Sequence, residues 1–237
     1  MKMTIRALIF DVFGTLVDWR TSIANASERH LSSLGLQTDW LEFADAWRKE
    51  YDPSMEKIRS GKRGFCKLDE LHRDNLDLIL NRWGWNQVDE NTRQQLNKAW
   101  HHLQSWPEVG ASLKQLRQQF LLAPCSNGHI ELMVNLARHN HWHWDAILGA
   151  EIAKDYKPQA VVYQAAAKAF GLDLSETMMV AAHSSDLEAA ARAGLKTAFI
   201  ARPNEFGPGL GESTPATKVD YSADNLQDLA DILAKTN

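Results

Sequence analysis

The chain has 237 residues, 44% of them hydrophobic and 24% charged, a composition that excludes the disordered, collagenous and coiled-coil classes. Its formal net charge of −4 provides no basic excess for a nucleic acid or an anionic membrane. Only Cys66 and Cys125 are cysteines, and no apolar run reaches the roughly 18 residues of a membrane span or forms a signal segment. We therefore expect a cytoplasmic protein without disulfides.

Short apolar runs recur along the chain and predict buried strands. They occupy residues 4–10, 120–125, 146–150, 177–182 and 197–201. Between the later runs, apolar residues recur at helical spacing, around Leu132, Val162 and Ala189. This alternation of strand and helix predicts an α/β fold with a Rossmann-like parallel sheet.

The stretch from residue 17 to residue 106 interrupts this alternation. It contains no convincing strand, and its apolar residues keep helical spacing, as in Ala44, Trp47, Tyr51, Met55 and Ile58. We predict a core of residues 1–16 plus 107–237 and an all-helical cap of residues 17–106. Further along, residues 203–217 are rich in Pro, Gly, Ser and Thr, which predicts a surface loop, and a final helix follows.

Four polar segments directly follow predicted strands or lie just beyond them. They are Asp11 to Thr15, Ser126-Asn127-Gly128, Lys157-Pro158 and His183 to Asp186. Loops beyond the carboxyl ends of parallel strands converge on one crevice, so these segments are expected to share a site. Each segment alone also has an ordinary reading, as a helix cap, a plain turn or a surface lysine.

Asp11 is the candidate nucleophile of this site. Gly14 permits a tight turn that presents backbone N–H groups beside the carboxylate, and such amides can hold an anionic substrate. Covalent capture by a carboxylate splits one difficult displacement into two easier steps. In a dry cleft, Lys157 would keep Asp11 ionised.

In order, the four segments resemble the signature regions of the haloacid dehalogenase superfamily, and the resemblance covers essentially the whole chain. The helical stretch stands where that superfamily places its cap. Superfamily phosphatases carry a second Asp two residues after the nucleophile, where this chain has Phe13, and further acidic Mg²⁺ ligands in the fourth region, where only Asp186 remains. With Arg48 and Tyr163 also present, the chain resembles the L-2-haloacid dehalogenase branch, whose halide leaving group needs neither proton nor metal.

The resemblance implies a hydrolysis in two steps without a metal or another cofactor. Asp11 would attack the halogen-bearing carbon and form an ester. The departing halide would lie between Arg48 and Asn127, and the substrate carboxylate would bind Ser126 and the backbone N–H groups near Val12 and Phe13.

In the second step, water would attack the carbonyl carbon of the ester and release a 2-hydroxy acid. Lys157 would orient Asp11, and Asp186, held against Lys157, would help to activate the water. Thr15 and Tyr163 would support these groups.

His183 departs from the pattern, because dehalogenases of this type often have Asn at that position. We expect His183 either to order the water as a base or to narrow the halide pocket; the plainer reading is a structural His in a loop. His139, His141 and His143 alternate with tryptophans and suggest a metal, but they lie away from the predicted crevice and lack an acidic companion.

Two other functions stay open at this point. One is a Mg²⁺-dependent small-molecule phosphatase of the same superfamily, and the other is a catalytically silent binding protein. The expected partner is a small 2-haloacid and not a nucleic acid or a membrane. Similarity to the family also implies a homodimer.

Overall fold

A computed structural model describes residues 4–236. The described residues form eight strands: β1 Ala7–Phe10, β2 Val17–Asp18, β3 Gln104–Ser105, β4 Leu121–Ser126, β5 Leu148–Gly149, β6 Thr177–Ala181, β7 Lys196–Ile200 and β8 Tyr221–Ala223. Six of them make one sheet in the order β5-β4-β1-β6-β7-β8, in which every pairing is parallel. The remaining two, β2 and β3, pair with each other in antiparallel fashion.

Helices occupy most of the rest of the described chain. They are α1 Trp19–Leu31, α2 Trp40–Lys49, α3 Tyr51–Arg59, α4 Leu68–Arg82, α5 Glu90–Ala99, α6 Val109–Leu116, α7 Ile130–His139, α8 Ala150–Ala153, α9 Ala160–Ala169, α10 Ser184–Arg192 and α11 Leu226–Thr236. Short 3₁₀ turns cover Ser32–Leu34, Trp100–His102 and Leu174–Glu176. Within residues 4–236, none of the helices combines the length and the apolarity needed to cross a membrane.

The sheet is buried on both faces, as a parallel sheet covered by helices must be. Successive side chains of β1 alternate between two apolar clusters: Leu8 and Phe10 belong to one, and Ile9 belongs to the other. The same alternation divides Met178 from Met179 in β6. Continuous apolar runs therefore mark these strands in the sequence.

The predicted Rossmann-like α/β fold is confirmed, and each of the five predicted strands is present. The sheet has a sixth strand, β8, which the sequence analysis missed. Tyr221–Ala223 is only three residues long, lies at the sheet edge and is partly exposed. It therefore lacks the apolar run that identified the other strands.

Five α-helices, α1 to α5, follow the first strand, as predicted, and we call residues 17–106 the helical insert. The expectation that this stretch contains no strand is wrong at its two ends, where Val17 pairs with Ser105 and Asp18 with Gln104. Two-residue strands are too short to show any alternation in a sequence. Their pairing places the two chain connections between the insert and the sheet side by side.

Local sequence sets the ends of the insert's helices. The side chains of Asp18, Asp39 and Asp89 accept backbone N–H bonds at the first turns of α1, α2 and α5. A single residue, Glu50, separates α2 from α3. Arg48 and Tyr51 consequently lie on either side of this junction.

Candidate active site

The carboxyl ends of three neighbouring strands carry the predicted site residues. Asp11 follows β1, Ser126 is the last residue of β4, and His183 follows β6. A cavity of about 570 Å³ lies at this edge and is closed on its other side by the insert. Seven of the predicted residues line it: Asp11, Phe13, Arg48, Asn127, Lys157, His183 and Asp186.

The carboxylate of Asp11 is buried and held from both sides. Lys157 Nζ donates to Asp11 Oδ1 at 2.9 Å, and Thr15 Oγ1 donates to Oδ2 at 2.7 Å. Thr15 itself accepts a bond from the Ala182 N–H at 3.0 Å. Burial alone would raise the pKa of Asp11, but the charge of Lys157 and the contact with His183 outweigh it and hold the pKa far below its usual range. Asp11 is therefore an ionised carboxylate at neutral pH.

Lys157 joins Asp11 to Asp186. Its ammonium also donates to Asp186 Oδ2 at 2.5 Å, and the Tyr163 hydroxyl donates to Asp186 Oδ1 at 2.5 Å. Burial would lower the pKa of Lys157, but the two carboxylates raise it above its ordinary value. Burial and the neighbouring Asp186 raise the pKa of Tyr163, so this phenol stays a proton donor.

On the other side of Asp11, His183 is placed between two carboxylates. Its Nδ1 lies 3.2 Å from Asp11 Oδ2, and its Nε2 lies 2.8 Å from Glu205 Oε2. Burial opposes a charge on the ring, but the hydrogen bonds to Asp11 and Glu205 raise the pKa of His183 to about 10. The ring is therefore an imidazolium in the resting site.

Glu205 reaches the site from the segment 203–217, which has neither helix nor strand, as predicted. The expectation of a surface loop is wrong for its anchoring residues, because Glu205 is only 2% exposed. Its Oε1 accepts a bond from Trp19 Nε1 at 3.0 Å. The carboxylate of Glu212, further along the loop, accepts the N–H of Ser184 at the start of α10. The loop is thus fixed against both the insert and the sheet.

Gly14 makes room for the Glu205 carboxylate. A Cβ at this position would lie 1.9 Å from Glu205 Oε1, and the residue has a φ of +82°. Both the close approach and the left-handed backbone require glycine. The turn after Asp11 and the loop that carries Glu205 are therefore complementary in shape at this contact.

Arg48 brings a cation into the cavity from the insert. Its guanidinium carbon lies 3.8 Å from the ring centre of Tyr51, 5.5 Å from that of Trp19 and 5.7 Å from that of Phe13. Such stacking supports a positive charge without neutralising it. Nη1 of Arg48 is buried and has no hydrogen-bond partner within the described chain. An anion in the cavity would satisfy it.

Four predicted residues do not line the cavity and lie behind it: Val12, Thr15, Ser126 and Tyr163. The Ser126 hydroxyl oxygen accepts the Gly128 N–H at 3.0 Å, so its own proton can still be donated. Asn127 lines the cavity, and its Oδ1 accepts the Lys157 N–H at 2.8 Å, which fixes the side-chain amide.

Sequence reasoning missed Tyr51 and Glu205 as site residues. Tyr51 belonged to a helical pattern that indicated only packing, whereas the junction at Glu50 directs it to the cavity. Glu205 stands in a segment without periodicity, so no pattern signalled its role. The imidazoles of His139, His141 and His143 do not converge: His139 contacts Gln104, while the other two line a separate surface cavity.

A second contact joins the insert to the rest of the molecule beside the cavity. Arg59 Nη1 donates to the carbonyl oxygen of Lys157 at 3.0 Å, and the same guanidinium is paired with Asp52 and Glu56. The Tyr156 hydroxyl likewise donates to the Cys66 carbonyl oxygen at 2.8 Å. These bonds hold the insert over the strand ends.

Fold and site together define an α/β enzyme of the kind that uses a buried strand-end carboxylate beside a lysine, under a helical insert. The model of the haloacid dehalogenase-like hydrolase family matches residues 5–194. The chain belongs to this family.

Solved structures and characterised sequences give closer relatives. The chain is 42% identical to a defluorinating L-2-haloacid dehalogenase, with a TM-score of 0.93 over 97% of this chain and 95% of the other. It is 40% identical to a second L-2-haloacid dehalogenase, with a TM-score of 0.93 over 98% and 99%. It is also 28% identical to (S)-2-haloacid dehalogenase 1 of Pseudomonas sp. (strain CBS-3), over 85% of this chain and 86% of the relative.

Proposed function

We propose that this protein hydrolyses short-chain 2-haloacids to 2-hydroxy acids through an ester on Asp11. One observation carries the proposal: the ionised carboxylate of Asp11 shares its cavity with Arg48, a cation that keeps an unpartnered nitrogen among aromatic rings. A nucleophile and a guanidinium nitrogen without a hydrogen-bond partner among the described residues, in one cavity, suit a displacement that releases a halide. The similarity to L-2-haloacid dehalogenases over nearly the whole chain supports the same reaction.

In the first step, an oxygen of Asp11 forms a bond to C2 of the haloacid while the carbon–halogen bond breaks. The halogen leaves with the bonding electron pair, as halide, toward Arg48 and the amide of Asn127. No proton is transferred to the leaving group. The reaction therefore does not need a general acid at the position of Phe13, where superfamily phosphatases have one. The attack comes from the face opposite the halogen, which inverts the configuration at C2.

The substrate carboxylate binds at the turn after β1 in this scheme. The N–H of Asp11 is bonded to Val180 and that of Gly14 to Val17, and the intervening amides of Val12 and Phe13 serve as donors to the carboxylate. The Ser126 hydroxyl provides a further donor. Backbone amides at such a turn form a suitable anion site.

In the second step, water attacks the carbonyl carbon of the ester, and the bond from that carbon to the oxygen on C2 breaks. This oxygen takes up one of the water's two protons and leaves as the hydroxyl group of the hydroxy acid, while the other proton is released and the Asp11 carboxylate is restored. His183 Nδ1 faces Asp11 directly, and Glu205 holds the other ring nitrogen. Both oxygens of Asp186 already accept bonds from Lys157 and Tyr163. We therefore assign the water's proton to His183, while Asp186 positions Lys157 and supports the site electrostatically.

The Mg²⁺-dependent phosphatase alternative fits these donors poorly. Mg²⁺ requires near-octahedral oxygen ligation. The side chain of Phe13 contributes no oxygen, and the carboxylates of Asp11 and Asp186 already share the ammonium of Lys157. Ala182 stands where the phosphatase pattern has a further acidic ligand, and the neighbouring His183 ring carries a positive charge.

The remaining assignments follow from the family resemblance and from the contacts. Residues 17–106 act as a cap that excludes water until the ester forms, and residues 1–16 plus 107–237 act as the catalytic core. The protein works in the cytoplasm, in keeping with the free thiols of Cys66 and Cys125. It forms a homodimer, which sedimentation of the purified chain will test.

Halide and phosphate release distinguish the candidate functions. We expect chloride release from (S)-2-chloropropionate at an equal rate with and without EDTA, and no phosphate release from phosphomonoesters with Mg²⁺. Fluoroacetate in the same assay tests whether fluoride is expelled, because one of the solved relatives is a defluorinating enzyme. Turnover of neither substrate class would favour the silent binding protein.

A single turnover in ¹⁸O water tests the ester itself. Water that attacks the carbonyl carbon leaves ¹⁸O in the side chain of Asp11, which mass spectrometry of its peptide will detect. Asp11→Asn should release halide only at the background rate. Label confined to the hydroxy acid would mean direct attack of water on C2 and would refute the proposal.

A further inference from the structure

A second group of chemically reactive side chains lies outside the catalytic cavity, where three parts of the chain meet. Asp69 stands in the first turn of α4, His101 in the 3₁₀ turn after α5, and His129 directly before α7. One ligand atom from each lies within 4.8 Å of the others. None of the three lines the cavity that contains Asp11.

The spacing of these atoms suits one small cation. His101 Nε2 lies 2.9 Å from Asp69 Oδ1 and 3.0 Å from Oδ2, and His129 Nε2 lies 3.7 Å from Oδ2. Ligands about 2.0–2.1 Å from a tetrahedral Zn²⁺ stand roughly 3.3 Å apart. The contacts of both imidazoles with Asp69 lie within a few tenths of an ångström of this spacing, and the ligand atoms of the two imidazoles lie no more than 4.8 Å apart, so a modest approach of the two rings would complete a coordination shell.

His129 is the observation that points to a ligand. The residue is 1% exposed, and neither of its ring nitrogens has a hydrogen-bond partner within the described chain. An unsatisfied buried polar atom is costly. A bound metal would take the lone pair of one of these nitrogens and remove that cost.

The other two ligands are prepared in different ways. The carboxylate of Asp69 accepts a bond from Lys98 Nζ at 2.9 Å and faces His101 Nε2. The Nδ1 atom of His101 lies 2.9 Å from the side-chain nitrogen of Asn135. A half-turn of that amide places its oxygen there, where it accepts a hydrogen bond from Nδ1–H and leaves Nε2 free for the metal.

Lys98 is the one competitor for Asp69 among the described cations. Its Nζ lies 2.9 Å from Asp69 Oδ2 and 2.8 Å from Glu131 Oε1, and its side chain is 47% exposed. An exposed ion pair contributes little. When a cation binds to Asp69, the ion pair between Lys98 and Glu131 would persist and the ion pair between Lys98 and Asp69 would break.

We propose that Asp69, His101 and His129 form a binding site for one divalent transition metal of the Zn²⁺ class, with the fourth position left to water. Two nitrogen ligands and one carboxylate are a donor set that suits such ions and not Mg²⁺ or Ca²⁺. Asp69 and His101 belong to the helical insert, whereas His129 follows Ser126-Asn127-Gly128 at the end of β4. The metal would tie the insert to the sheet beside the catalytic loop and would stabilise the folded chain by mass action.

Titration of the EDTA-treated, full-length protein with Zn²⁺ and with Co²⁺ tests the site independently of any dehalogenase activity. We expect one ion per chain, the visible absorption of a tetrahedral or five-coordinate Co²⁺ centre, and a higher melting temperature. Because even ligand-supporting partners alter metal affinity about 10–100-fold, His129→Asn should weaken binding at least about tenfold. Lys98→Ala should tighten it, since the competing ammonium is gone.

His139→Gln is the matched control, because His139 and His102 form an exposed imidazole pair with ring centres 5.5 Å apart. It should bind the metal as the wild type does. Equal affinity in the wild type and His129→Asn, or a loss confined to His139→Gln, would overturn the proposal. Circular dichroism and halide release by His129→Asn verify that this variant is folded.

Discussion

The most informative single substitution is His183→Asn. Asparagine retains a donor amide toward Glu205 but cannot accept the proton of the attacking water. Lys157 and Thr15 remain bonded to Asp11, so the nucleophile should stay ionised. We therefore expect the variant to form the ester and to hydrolyse it slowly.

The contacts of His183 determine the size of the effect. A pKa of about 10 means that only about one ring in 10³ is neutral at pH 7 while Asp11 carries its charge. Esterification removes one of the two carboxylate charges beside the ring. The pKa of His183 therefore falls below about 10, and a larger fraction of the rings becomes a competent base. Loss of a positioned base costs about 10²–10⁴-fold in rate.

Rapid-quench measurement of halide release separates the two steps. The variant should release one equivalent of halide per site in a burst at nearly the wild-type rate. Steady-state turnover after the burst should be about 10²–10⁴-fold slower than in the wild type. Mass spectrometry of the quenched protein should find the ester on the peptide that contains Asp11. In the wild type, the rate of ester hydrolysis should rise with pH as the His183 ring becomes neutral, at a pH below about 10.

A different result would refute this assignment. If His183→Asn slows the burst itself and no ester accumulates, the ring acts on halide departure or on the shape of the pocket. Unchanged turnover across pH would indicate a structural histidine. Glu205→Gln provides the companion measurement, because it keeps the contact with Nε2 and removes only the charge.

Four further outcomes follow from the same geometry. Gly14→Ala should displace Glu205 and slow ester hydrolysis. The left-handed backbone at this position should also cost alanine at least about 1–2 kcal/mol of folding stability. Gly84→Ala is the control: Gly84 also has a left-handed φ, of +71°, but a Cβ there meets open space, so turnover should not change. Arg48→Lys removes stacking worth about 2 kcal/mol, so kcat/KM for chloride release should fall about thirtyfold, and equal rates would contradict the assigned anion site. Asp11→Asn takes a charge away from His183, so NMR titration of that ring should give a pKa below about 10; an unchanged value would mean that Glu205 alone sets it. Folding raises the pKa of His183, so the protonated ring stabilises the folded chain fully below about pH 6.5. This stabilisation is lost as the pH rises to about 10. The melting temperature of the wild type should therefore fall more over this range than that of His183→Asn.

Residues at strand ends could be predicted from the sequence, whereas residues brought in by loops could not. Asp11, Ser126 and His183 end or follow apolar runs, and parallel strands bring their carboxyl ends together whatever the intervening chain does. Arg48 and Tyr163 were predicted from the family resemblance alone, because in isolation Arg48 is typical of a solvated helix residue and Tyr163 of a core residue. The position of Arg48 depends on the junction between α2 and α3, and the hydroxyl of Tyr163 donates to the carboxylate of Asp186 in the distant helix α10.

Glu205 shows the limit most plainly. Its segment has no periodicity, and its position depends on a turn at Gly14 that is 191 residues away in the sequence. The metal-type cluster is similar, since Asp69, His101 and His129 come from three separate elements. The sequence instead drew attention to His139, His141 and His143, where proximity along the chain does not produce proximity in space.

The site residues form one line of alternating charge, and this line explains why a single carboxylate can be both a stable anion and a nucleophile. Glu205, His183, Asp11, Lys157 and Asp186 contact one another in that order. Asp11 lies at the centre between two cations, so burial does not protonate it. In the proposed mechanism, ester formation would remove only the central charge and leave His183 paired with Glu205 and Lys157 with Asp186. The loss of charge on Asp11 would then lower the pKa of the imidazole and allow it to act as a base, so the network would set the order of the two proposed steps.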